Sequence, residues 1–109
     1  MAQIEINLND YRTPGSKVFT GRDWGIEVRK KSKINELEKN YDRVRILIPE
    51  DIGSINPSFL EEFLLDVVTK LQADRFLQKF EFVNNGRYQI KDDLDEAVDR
   101  ILRTETALA

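Results

Sequence analysis

Residues 43–72 read RVRILIPEDIGSINPSFLEEFLLDVVTKLQ, and the fold turns on this stretch. Val44, Ile46 and Ile48, with Leu47 between them, form a continuous and largely β-branched apolar run. That is the pattern of a strand covered on both faces. A turn-rich loop, EDIGSINP, follows it. Beyond the loop, Leu60, Phe63, Leu64, Val67, Val68 and Leu71 recur at helical spacing and draw one apolar stripe. Asn56 stands where an N-cap belongs and Pro57 at the first helical position, with Glu61 and Glu62 near the positive end of the dipole. A buried strand therefore feeds an amphipathic helix through a shaped loop.

Before this stretch, Ile4, Ile6 and Leu8 alternate with polar residues, as in a half-buried strand. Pro14-Gly15 marks a turn, and Lys17 to Phe19 returns briefly as an extended piece. Thr20 has the look of an N-cap with Asp23 three residues on. A helix from about Gly21 carries Trp24 and Val28 on one face, with Gly25 allowing close approach. Ile34, Leu37 and Tyr41 continue the helical spacing in a shifted register. The segment reads either as one helix bent near Ser32 or as two short ones.

After it, Ala73-Asp74 reads as a breaker, and Phe80 and Phe82 alternate as in a strand. Asn85-Gly86 is a turn signal, followed either by a short hairpin arm, RYQI, or by a loop into the last helix. Asp92 or Asp93 caps that helix, whose apolar set is Leu94, Ala97, Val98, Ile101 and Leu102. The tail, 104–109, is expected to fray. The order β-α-β-α-β-α predicts an α/β fold. Its three- to four-stranded, mainly parallel or mixed sheet would have helices packed on it and right-handed crossovers. The whole chain of 109 residues forms one domain.

Composition narrows the function classes. Apolar residues at 40% and charged residues at 34% describe a soluble, globular chain. A net charge of −3 gives no bulk attraction to nucleic acid or anionic membrane. Cysteine and histidine are both absent, which removes the thiol nucleophile, the commonest general base and the commonest metal ligand. No basic-then-apolar leader opens the chain, and no apolar run reaches membrane-spanning length. The expected location is the cytoplasm, with no membrane and no cofactor.

Each candidate for chemistry has a plainer use. The five glycines match no phosphate-loop pattern. The segment from Gly53 to Ser58 ends at a helix N-terminus, where an anion is welcome, but a well-capped helix with a polar entrance accounts for it. Asp92, Asp93, Asp95 and Glu96 lack calcium-loop spacing and suit a helix's first turn. Arg29, Lys30, Lys31 and Lys33 lie where cations favour a helix end and read as a solvated face. Glu50 and Asp51, at the end of the central strand, are the paired carboxylates nearest to where α/β folds hold ligands.

The segments FTGRDWGIEVRKK (19–31) and RVRILIPEDIGSINPSFLEEFL (43–64) together resemble the bacterial STAS-like domain of unknown function. That group is related to anti-sigma-factor antagonists and to STAS domains generally. Gly21-Arg22 and Gly25 occupy the family's opening helix. Ile55, Asn56, Pro57, Ser58 and Phe59 occupy its second helix start. The resemblance runs from about Phe19 to Asn84. It implies a non-catalytic binding module that docks a protein partner, such as a histidine-kinase-like ATPase, at the loop and helix start. The implied docking rim is Ser54, Asn56 and Ser58, with Glu61 on the first turn. Antagonist relatives carry Asp-Ser-Ser-Gly there, with the first serine phosphorylated. In this chain Asn56 matches the Asp, Pro57 the acceptor, Ser58 the second serine and Phe59 the glycine, so the classical switch lacks its hydroxyl. An anion-binding sensor of small ligands or nucleotides at the same helix N-terminus is the alternative. An enzyme built on Glu50, Asp51 and Arg22 is a distant third.

Overall fold

The computed structural model describes residues 2–84 and 86–108, with side chains up to Arg103. Strand β1 (Gln3–Asn7) ends in a 3-10 turn at Leu8–Tyr11, and β2 (Val18–Phe19) precedes α1 (Arg22–Ser32) and α2 (Ile34–Asn40). The central strand β3 (Arg43–Ile48) is followed by β4 (Ser54–Ile55) and α3 (Pro57–Lys79). Strand β5 (Phe80–Asn84) and α4 (Lys91–Leu108) complete the chain. The fold is α/β. One sheet has the order β1-β3-β5, all parallel, and a second pairs β2 with β4, also parallel.

Both crossovers advance in the same direction, β1 to β3 to β5, which lays their helices on the same face of the sheet. The burial pattern follows. Ile6, Val44, Ile46, Ile48 and Phe80 are buried, and the stripe residues Leu60, Phe63, Leu64, Val67, Val68 and Leu71 are buried with them. Packed with α1 on one flank and α4 on the other, α3 is the spine of the helical layer. The expectation that β3 is covered on both faces is therefore corrected. Its other face carries Arg43 and Arg45, and Leu47 there is only half-buried. On that face Glu5, Arg45 and Glu81 form one row across the three strands. Arg45 Nη1 lies 3.1 Å from Glu5 and its Nε 3.4 Å from Glu81.

Lys33, at φ 58°, separates α1 from α2, so the segment is two helices. Thr20 does not cap α1. The chain enters through Gly21 at φ 94°, a turn that glycine makes without strain, and the cap position falls there with no side-chain bond. Helix α3 outruns its apolar stripe. It breaks at Gln72 (φ 64°, ψ 172°) and resumes through Lys79, with Phe76 fully buried and stacked on Phe80 at 4.9 Å. The breaker read at Ala73-Asp74 thus lies within one residue of a real break, but helix continues after it. No hairpin arm forms at 87–90; that segment is a loop into α4, and Asn85 lies outside the described residues. Helix α4 takes in the backbone of 104–108, the stretch expected to fray, while Ala109 lies outside the described residues.

Candidate functional site: the entrance to helix α3

The short strand β4 forms because β2 lies beside it. Lys17 O accepts from Gly53 N at 2.7 Å, and Phe19 O from Asn56 N at 2.8 Å. Phe19 and Ile55 are aligned and wholly buried, whereas Val18 and Ser54, the other aligned pair, are exposed together. Ser54 thus stands on a small strand rather than in a loose loop. Asn56 follows it with extended backbone, and its Oδ1 accepts from both Ser58 N and Ser58 Oγ at 2.8 Å. Its carbonyl accepts from Phe59 N (3.0 Å) and Leu60 N (3.3 Å), and Pro57 has no N–H. Every backbone donor from 57 to 60 is therefore missing or engaged. The anion-friendly character of a helix N-terminus rests on free amides, which this one does not offer.

Arg22, Gly25 and Phe59 gather behind this rim and pack it. A Cβ built on Gly25 would lie 2.5 Å from Phe59 O and 2.9 Å from Glu62 Cβ, so α1 meets α3 there by bare backbone. Phe59 is buried against Phe19 at 5.2 Å and Phe63 at 5.7 Å between ring centres. Arg22 Nη2 lies 2.9 Å from Glu61 Oε2, and its Nη1 3.6 Å from Glu62. Arg100 on α4 approaches the same Glu61 oxygen to 3.9 Å. Glu61 is only 8% exposed. It was expected on the exposed rim with Ser54, Asn56 and Ser58, and the structure corrects that: its carboxylate is turned into the seam joining α1, α3 and α4.

Other candidates resolve into supports. Asp51 accepts from both terminal guanidinium nitrogens of Arg12, at 2.8 and 3.0 Å, and that contact holds its carboxyl below the usual range. Glu50 is exposed, and its carbonyl faces Gly86 so closely that a Cβ there would lie 2.2 Å away. Arg29 donates to Glu62 O at 2.8 Å, while Lys31 stands over the Trp24 ring at 5.7 Å. Within the acidic run, Asp95 pairs with Lys91 and Glu96 with Arg100. No group of metal-ligating side chains occurs among the described residues.

Tyr88 is the contributor that sequence reading missed. Its hydroxyl lies 2.6 Å from Asp93 Oδ2, to which it donates, and 3.1 Å from Ile55 O, so it ties the loop before α4 to β4. Burial, then Asp93, pushes its hydroxyl pKa well above the ordinary value. Nothing local in RYQI announces a partner 33 residues back.

No family model, no curated protein and no solved structure matches the chain.

Proposed function

We propose that the chain is a non-catalytic, STAS-like regulatory module. It docks a protein partner through the surface formed by Val18 and Ser54 on the small sheet with Asn56 and Ser58 at the start of α3. The observation that carries the reading is the exposed pairing of Val18, 45% accessible, with Ser54 beside a helix start whose amides are engaged. One apolar side chain within a rim of small polar groups suits a protein surface. An anion would need donors that the helix start has already committed, which weighs against a nucleotide or phosphate sensor at this place. The Pro57 position leaves no hydroxyl for phosphorylation, so control runs through binding and release. No helix among the described residues is long and apolar enough to cross a membrane.

The test is a photo-crosslinking amino acid placed at Ser54 in the native host, with one at exposed Asp99 as control. The reading expects one dominant protein captured from Ser54 and not from Asp99. That capture should be lost on adding Ser58→Asp, a charge the helix start tolerates. Equal capture from both positions, or capture undiminished by Ser58→Asp, would place the docking surface elsewhere. A stoichiometric phosphate on Ser54 or Ser58 by intact mass would overturn the absence of a switch.

A further inference from the structure

Helix α3 has neither proline nor glycine between Ser58 and Lys79, yet its backbone breaks at Gln72. The conformation there, φ 64° and ψ 172°, belongs essentially to glycine. A side chain is kept in that region only where its surroundings over-determine it. Of the residues that follow, ADRFLQK, Ala, Arg, Leu, Gln and Lys are good helix formers and none is glycine or proline, so a continuous helix is the unstrained alternative. Two sets of contacts hold the break instead. Phe76 is buried and stacked on Phe80. One carboxylate, that of Glu38 on α2, also grips both sides of the break. Its Oε1 accepts from Lys70 Nζ at 2.7 Å, before the break, and its Oε2 from Lys79 Nζ at 3.0 Å, after it. Lys79 donates to the Glu38 carbonyl as well.

We propose that Gln72 is a two-state joint and Glu38 its latch. With the carboxylate on both lysines the helix is held broken and Phe76 packed. With the latch undone, 73–84 leaves its packed arrangement as a unit while 57–71 stays in place. The strand β5 follows directly on the second helical segment and lies at the edge of the sheet, so it moves with that segment. Glu38 itself is 4% exposed, but shallow hollows reach it from two sides. Asn35, Lys39 and Asp66 line one, and Asp42, Arg75 and Gln78 the other. The latch is therefore within reach of a competing charged group from outside.

Amide hydrogen exchange, read by mass spectrometry at neutral pH, tests the joint. In Glu38→Gln, amides in 73–84 should exchange at least tenfold faster, with 57–71 within twofold of the parent. Lys70→Met removes one arm from the solvent side and should act in the same direction by less. It also decides the matter if Glu38→Gln does not fold. Adding Gln72→Gly, which gives up the exposed bond from Gln72 Nε2 to Thr69 O but relieves the backbone, should bring the accelerated rates back toward the parent's. Rates that rise equally in 57–71 and 73–84, or that stay unchanged in Lys70→Met, would overturn the joint. No slowing by Gln72→Gly would overturn the strain on which it rests.

Discussion

At its start α3 meets α1 through bare backbone, Gly25 against Phe59; at its far end it meets α2 through one carboxylate and two lysines. The first contact is set mainly by shape, with Arg22 bridging to Glu61 and Glu62 beside it, and the second mainly by charge, with Phe76 packed on Phe80 beyond it. Shape contacts come from close packing and are indifferent to salt and pH, whereas a carboxylate clamp holds only while it is ionised. One helix thus has a permanent end and a conditional one.

The comparison can be broken at the permanent end first. Leu64 lies mid-stripe and fully buried, so Leu64→Ala should lose about 2–5 kcal/mol by transfer and cavity terms together. Urea midpoints should show that loss equally at pH 4 and pH 7. An unchanged midpoint would mean that the stripe is not the core face.

The conditional end should answer to acid. Burial alone would raise the Glu38 pKa, but the bonds from Lys70 and Lys79 outweigh it and hold the carboxyl below its ordinary value of 4.5. A lowered folded pKa means that the clamp's contribution is complete above the unfolded value and is lost as pH falls through the folded one. Losing a charge-assisted buried bond costs about 1–3 kcal/mol. Thermal melts should therefore fall below about pH 4.5, and should fall less steeply in Glu38→Gln. Parallel acid profiles for the two proteins would place the acid response on other carboxylates.

Asn56→Ala should have the smallest effect, roughly 1 kcal/mol from the lost cap, because its oxygen serves one backbone amide and one hydroxyl. A melt unchanged within error would show that the start of α3 is set by Pro57 and the β2–β4 pairing rather than by the cap.

The same contrast governs what the sequence made legible. The strand β3, the stripe of α3 and the cap at Asn56 were readable because each is a local pattern in consecutive residues. The second segment of α3 was not, because the break at Gln72 resets the helical phase and Leu71 and Phe76 fall out of step. The two-residue strand β4 has no periodicity to read, while β2 was legible as the brief extended piece at 17–19 but its pairing with β4 was not. The Glu38 clamp joins residues 32 and 41 positions apart, and Glu61's turn toward Arg22 and Arg100 is likewise a matter of tertiary packing. At the candidate site, the exposure of Ser54 and Asn56 was legible, whereas the half-buried Ser58, the buried Glu61 and the exposed Val18 were not.

The open face of the large sheet carries its own consequence. All-parallel sheets are nearly always roofed on both sides, and a bare one invites a second sheet to settle on it. Here the row across the strands runs acid, base, acid: Glu5, Arg45, Glu81. Turn a second copy over about an axis along β3 through that row, and Arg45 lands on Arg45 while Glu5 lands on Glu81. Turn it about an axis across the strands, and each residue lands on itself. Either of these centred stackings sets like charge on like, so the pattern that ties the strands together side by side opposes two sister sheets lying face to face with β3 upon β3.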